Sequence, residues 1–305
     1  MPFYQMPDGE SLHVRIQGKA HAQPVLVLSG LGMQSWQWTP FLFPNFKHYQ
    51  FIIPDWRGFG QSNNCNIPQD LDAISSHWRD VECLIEQLQL DDFILIGYSM
   101  GATTAMHGMQ YSNIGQKLKA YLHIDQTPKI ATDESWSFGL FGTEYPQFMQ
   151  LLQSISSLLA QHAGTQYIKD LDPQSRQQLL RMWLKFIKLQ GSNRLAPLMF
   201  ELALRQPKLQ KHLLPMQRLD YMAWYIKNYL LHQEDYRQAI AELDCPTTFF
   251  IGAQSNLYPA QGQLQIADSL KHTHHVLFQR SGHTPLLSEP LKFTRELQQF
   301  LKQAC

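Results

Sequence analysis

The chain has 305 residues, of which 44% are hydrophobic and 12% aromatic against only 16% charged, a composition that excludes a disordered chain and allows a large core with room for an inserted subdomain. Its 25 lysines and arginines balance 25 aspartates and glutamates, so no overall field exists to attract nucleic acid or an anionic lipid surface. No apolar run approaches the roughly twenty residues of a membrane-spanning helix, and residues 1–30 lack a basic cluster followed by an apolar stretch, so the expectation is a soluble, cytoplasmic protein.

Short apolar runs bounded by glycine, proline or aspartate occur at residues 12–16, 25–28, 51–53 and 93–96 and read as buried strands. Between the last two, Val81, Leu84, Ile85 and Leu88 recur at helical spacing within residues 74–90. A helix over 100–110 and a strand over 120–124 follow. Strands without polar alternation, separated by helices, imply a parallel sheet covered on both faces. After Pro128 the texture changes to leucine- and glutamine-rich segments with almost no β-branched runs. This block reads as wholly helical, with helices near 145–162, 173–189, 194–212 and 219–232. Strand character returns at 247–251 and 274–278, ahead of a last helix beginning near Glu289. The division expected is therefore a core of residues 1–127 and 237–305 carrying a helical cap of residues 128–236.

The segment with most chemical content is Gly97-Tyr98-Ser99-Met100-Gly101, between a strand and a helix. A serine there must turn sharply, and glycines two positions to either side let neighbouring backbone approach while the hydroxyl projects above the sheet. Ser99 is the expected nucleophile. A serine hydroxyl needs a base to remove its proton, and among 13 histidines His283 stands out. It lies in a loop after the last strand and before the last helix, on the sheet edge onto which the Ser99 turn opens. The acid that would orient it is Asp125, at the end of the 120–124 strand, in the chain order serine, acid, histidine. The end of the next strand, at Ser255, carries no carboxylate, and Asp244 and Asp268 flank it too far away. Backbone N–H groups of Met100 and of Leu31, in the Ser29-Gly30-Leu31-Gly32 turn, are the expected oxyanion donors. Asp55 and Arg57 read as parts of a turn rather than of the catalytic set. The four cysteines and the histidines lack metal-ligand spacing, so no metal is expected.

Taken together, the turn at Leu31, the segment 55–62, the Ser99 elbow and the Gly282-His283 loop resemble the α/β-hydrolase superfamily over roughly residues 3–128 and 243–303. The resemblance implies an eight-stranded, mostly parallel sheet with helices on both faces, an inserted all-helical cap, no cofactor, and hydrolysis through an acyl-serine intermediate. The chain departs from many members in having Ser29 before the oxyanion glycine and Ser255 where they carry aspartate. Members with the acid after the earlier strand include cofactor-independent dioxygenases, in which the histidine–acid pair deprotonates the substrate. The fold also serves as a hormone receptor. Three functions are therefore weighed: hydrolysis of small apolar carboxylic esters, foremost; cofactor-independent oxygenation of an aromatic substrate; and ligand reception without turnover. Trp136, Phe148, Met149, Trp183 and Trp224 are the cap residues expected to contact an apolar ester or aromatic substrate.

Overall fold

The protein is described by a computed structural model that covers residues 2–191, 195–210, 213–214 and 216–304. Eight strands form one sheet: β1 (Phe3–Gln5), β2 (Ser11–Gly18), β3 (Gln23–Leu28), β4 (Tyr49–Pro54), β5 (Phe93–Tyr98), β6 (Leu118–Ile124), β7 (Thr247–Gly252) and β8 (Thr273–Phe278). Their order across the sheet is β1-β2-β4-β3-β5-β6-β7-β8. β2 pairs antiparallel with β1 and β4, and every pairing from β4 to β8 is parallel. The eight longer helices are α1 (Ala73–Gln87), α2 (Met100–Tyr111), α3 (Tyr145–Gln161), α4 (Pro173–Gln190), α5 (Ala196–Leu204), α6 (Leu219–Leu231), α7 (Ala260–Ala267) and α8 (Pro290–Gln303). This is the α/β-hydrolase fold.

The strands are apolar on both sides because both sides are covered. Within β5, Ile94 and Ile96 join a cluster with Phe293, Leu297 and Leu301 of α8, whereas Phe93 and Leu95 pack with Trp78, Val81 and Leu84 of α1. The two-residue period of a strand thus serves two cores at once. Asp72 sets the start of α1 by accepting hydrogen bonds from the Ile74 and Ser75 N–H groups, and Asp172 does the same for α4 through Gln174 and Ser175. Gly191 ends α4 at φ 63°, a left-handed position suited to glycine.

Helices α3 to α6 lie between β6 and β7, as a cap would. At the base of this insert Lys129 bridges Asp235, and the Tyr236 N–H donates to the Pro128 carbonyl. The insert is less uniformly helical than expected: residues 129–141 form bridges and turns before a single 3-10 turn at Gly142–Glu144. Thr127 and Trp136 hold this stretch through the Trp136 indole N–H and the Thr127 hydroxyl, a tertiary contact that periodicity does not reveal. The helix expected over 194–212 ends at Leu204, and a separate turn, Pro207–Gln210, follows. Gln206 precedes a proline, which disfavours helical backbone there; positions 194, 211 and 212 of that expectation lie outside the described residues. Strand β1 adds to the expected elements, since three residues give little periodic signal.

No helix among the described residues is long and apolar enough to cross a membrane.

Candidate active site

The carboxyl ends of β3, β5, β6, β7 and β8 bring the chemically capable side chains to one rim of the sheet. Ser99 follows β5 with φ 52° and ψ −122°, a conformation that L residues rarely adopt and that stores about 1–3 kcal/mol of strain. The surroundings enforce it. The Ser99 N–H donates to the Ile124 carbonyl, and its carbonyl accepts from the Ala102 and Thr103 N–H groups in the first turn of α2. A Cβ on Gly101 would stand 2.1 Å from the Leu28 carbonyl oxygen, and one on Gly97 would stand 2.8 Å from the Ala102 Cα. Only glycine allows the turn to pack this closely.

Asp125 comes directly after β6, is fully buried, and turns its chain at φ 41°. His283 lies between β8 and the short helix Pro285–Ser288. Its loop is pressed onto the end of β7, where a Cβ on Gly252 would stand 2.0 Å from the Gly282 carbonyl oxygen. The three side chains meet: His283 Nε2 is 2.9 Å from Ser99 Oγ, and His283 Nδ1 is 2.8 Å from Asp125 Oδ2. Residues 184 positions apart in the chain are thus within hydrogen-bond reach. Ser99 and His283 each keep 7% exposure, on the cavity side.

The end of β7, which has no carboxylate, serves the carboxylate of β6 instead. The Gly252 N–H and Gln263 Nε2 donate to Asp125 Oδ1 at 2.9 and 3.2 Å, and the Ser255 hydroxyl donates to Oδ2 at 2.8 Å. Ser255 stands where the family resemblance would expect aspartate, and its hydroxyl here anchors the Asp125 carboxylate of the neighbouring strand end.

The imidazole is held between two tyrosine contacts. Tyr98 stacks on it with 5.4 Å between centroids, Tyr258 meets it edge-on at 5.2 Å, and the Tyr98 hydroxyl donates to the His283 carbonyl. Burial pushes the phenols of Tyr98 and Tyr258 far above the usual tyrosine range, so both stay protonated, and the Tyr258 hydroxyl accepts from Gln126 Nε2. Sequence reasoning had no part for Tyr98, Ser255, Tyr258 or Gln263. The segment after β7 gave a signal, a run of hydroxyl and amide side chains at a strand end facing the expected rim.

The turn after β3 lies against Ser99: a Cβ on Gly30 would stand 3.3 Å from the Ser99 Cβ. Trp38 and Trp56 fix this turn by donating their indole N–H groups to the Ser29 hydroxyl and carbonyl. Gly30, Leu31 and Gly32 line the same cavity as Ser99. Met100 opens α2, and the first N–H groups of a helix have no intrahelical acceptor. The Leu31 and Met100 N–H groups, the expected oxyanion donors, belong to these two turns. The Asp55 and Arg57 side chains are elsewhere and engaged. Asp55 accepts from the N–H groups of Ser35 and Gln61 and pairs with His13, while Arg57 makes a two-pronged, fully buried contact with Asp80.

Above the rim lies a cavity of about 300 Å³, roofed by α3, α4 and α6. Phe148, Leu152, Ile155, Trp183, Phe186 and Ile226 give it an apolar wall. Of the five cap residues expected to reach the substrate, Phe148 and Trp183 line it and the other three do not. Trp136 is buried against Phe138 and bonded to Thr127. Trp224 donates to the Leu71 carbonyl on the far side of α6, beside a separate polar cleft. Met149 packs, half-buried, against the hydrophobic core. One face of each helix looks into the cavity and the other into the core, and an aromatic residue fits both.

Among the described residues no group of three or more histidine, cysteine or acidic side chains is placed to hold a metal ion.

The chain is 22% identical over 294 residues to the AB hydrolase superfamily protein YisY of Bacillus subtilis, covering 95% of this chain and 96% of that one. It is 22% identical to a pimeloyl-[acyl-carrier protein] methyl ester esterase of Legionella pneumophila, covering 95% and 100%. In structure it resembles an esterase from Exiguobacterium antarcticum with a TM-score of 0.70 at 19% identity, covering 98% of both chains. The model of the alpha/beta hydrolase fold family matches residues 23–290, and with the sheet order and the elbow at its expected place the chain belongs to that family.

Proposed function

We propose that the protein hydrolyses carboxylic esters of apolar acyl groups through an acyl-serine intermediate. In this reading Ser99 Oγ attacks the ester carbonyl while His283 Nε2 takes its proton, and Asp125 holds the imidazole with its Nδ1 protonated and stabilises the charged ring. The N–H groups of Leu31 and Met100 receive the carbonyl oxygen as it gains charge. His283 then protonates the departing alkoxide, and water repeats the sequence in reverse to release the acid. Residues 128–236 act as the cap, and the wall formed by Phe148, Trp183 and Phe186 takes the acyl chain.

One observation carries this reading: the unbroken hydrogen-bonded line Ser99–His283–Asp125, with its serine end open to a largely apolar cavity. The relatives named as methyl ester esterases put acyl methyl esters first in a substrate panel. The test is a panel of methyl and p-nitrophenyl esters of increasing acyl length, run with fluorophosphonate labelling of wild type and Ser99→Ala. Labelling and turnover confined to the wild type support the proposal; undiminished turnover by Ser99→Ala ends it.

The position of Asp125 after β6 also suits a second reading, in which the His283–Asp125 pair deprotonates an aromatic substrate for reaction with oxygen. An oxygen electrode beside the ester panel separates the two, because hydrolysis proceeds unchanged without oxygen.

A further inference from the structure

Zero net charge over the whole chain hides a local excess. Residues 173–218, which carry α4 and α5, contain nine lysines and arginines against one acid, Glu201. On α4, Arg181, Lys185 and Lys188 follow one another at helical spacing on the exposed face, while Leu180 and Leu184 are buried on the other. Lys188 Nζ lies 2.6 Å from Glu201 Oε1 and so ties this face to α5. Arg181, Lys185 and Arg205 are exposed and, among the described residues, join no ion pair.

Helix α5 turns an apolar side outward. Phe200 is buried at 9% exposure, whereas Leu198, Met199 and Leu202 keep 54%, 67% and 54%, and Leu209 in the turn Pro207–Gln210 keeps 48%. Positions 198, 199 and 202 share one side of a helix. Single exposed leucines are ordinary; a contiguous apolar stripe marks a surface that meets something. Arg205 edges the stripe at one end, and the cations of α4 flank it across the Lys188–Glu201 pair. An apolar stripe bordered by long cations suits the headgroup layer of a bilayer, where leucines sink toward the acyl chains while lysine and arginine stems reach back to the phosphates. Two other occupants fit less well. A second copy related by a two-fold axis would set the cationic flank against its own equivalent. A folded protein partner is typically held by aromatic and arginine anchors seated in pockets, and this stripe is leucine and methionine on a convex helix.

We propose that the outer face of α4 and α5 is a docking surface for an anionic lipid bilayer, on which the protein lies without crossing it. The cations supply attraction to the headgroups and the apolar stripe supplies the anchorage. Charge acts over about a Debye length, roughly 8–10 Å at physiological salt, so acidic residues elsewhere on the molecule do not cancel this local field. The surface does not depend on the hydrolase reading, but it bears on it. The inner side of α4 carries Trp183 and Phe186, which wall the cavity above Ser99. An apolar substrate dissolved in the bilayer is then separated from that cavity by the thickness of one helix.

The test is flotation of the purified full chain with vesicles of phosphatidylcholine alone or of phosphatidylcholine mixed with phosphatidylglycerol. Binding should appear with the mixed vesicles, be much weaker without the anionic lipid, and fall steeply between about 0.05 and 0.5 M salt. Lys185→Gln should weaken binding to the mixed vesicles about fivefold, the share of one cation near the surface. Met199→Ser/Leu202→Ser should weaken it at low and at high salt, because the apolar contribution is not screened. Leu291→Ser, at a position 88% exposed on α8, should change nothing. Thermal melts check that each variant is folded, and if the double serine variant is not, Lys185→Gln and the salt series decide. No flotation with the mixed vesicles overturns the proposal and leaves the face to an acidic protein. Flotation that none of the cap variants weakens puts the lipid contact elsewhere and overturns it as well. A dimer in sedimentation that Met199→Ser/Leu202→Ser dissociates, in a protein that does not float, gives the stripe to a second copy instead.

Discussion

Replacing Asp125 by asparagine changes one atom and, in this site, has only one possible outcome for the imidazole. Oδ1 accepts from the Gly252 N–H at 2.9 Å, a donor that cannot reverse, so the asparagine must keep its carbonyl there. The carboxamide nitrogen then occupies the Oδ2 position, facing His283 Nδ1 and the Ser255 hydroxyl, each at 2.8 Å. One N–H points at Nδ1, which must become an acceptor, and the ring proton moves to Nε2. A histidine protonated on Nε2 cannot take the Ser99 proton. The expected fall in kcat/KM is about 10⁴-fold, about 5 kcal/mol of transition-state stabilisation. The fold should survive, since Ser255 rotates to accept from the amide and the bonds from Gly252 and Gln263 persist. The assay is steady-state hydrolysis of a p-nitrophenyl ester with a thermal melt of each protein. A variant that melts like the wild type and retains kcat/KM within tenfold would refute the tautomer argument and the assignment of Asp125 with it.

Ser255→Ala removes one donor from the oxygen that holds His283, and kcat/KM should fall about tenfold with little change in Tm; unchanged kinetics would leave Ser255 without a positioning role. Arg57→Met strands the buried Asp80 carboxylate and should cost about 3–5 kcal/mol in urea unfolding, much of it recovered in Arg57→Met/Asp80→Leu. If the single variant costs less than about 1 kcal/mol, the pair is better solvated than its burial implies. Stability should decline as pH falls below about 6.5. Burial holds His77 down to about 3 and His123 down to about 4, so both stay neutral in the folded protein while the unfolded chain takes up protons. His77 bonds the Tyr225 hydroxyl of α6, so acid should loosen the cap from the core first. Thermal melts at pH 7.5 and 5 check the sign, and a Tm that rises toward pH 5 contradicts it.

Much of the core and three members of the candidate site are legible in the amino-acid sequence alone. Strand, elbow and helix around Ser99 are written in local periodicity and in two glycines, and the loop position of His283 follows from the same alternation of elements. Asp125 is legible by elimination, because the end of β7 offers no carboxylate. These are local signals, and a parallel sheet gathers its strand ends at one rim whatever the side chains are.

Contacts between distant segments cannot be read in this way. Tyr258 and Gln126, separated by 132 positions, meet only because β6 and β7 lie side by side, and nothing in either segment encodes the other. The cap shows the limit most clearly. Helical spacing places Trp136, Phe148, Met149, Trp183 and Trp224 in one class of apolar residues, yet only Phe148 and Trp183 face the cavity. The sequence determines that such a helix hides one face. Which neighbour it hides that face against, protein core or substrate space, is decided by how the helices pack over the sheet, because burial rewards apolar surface without regard to what covers it.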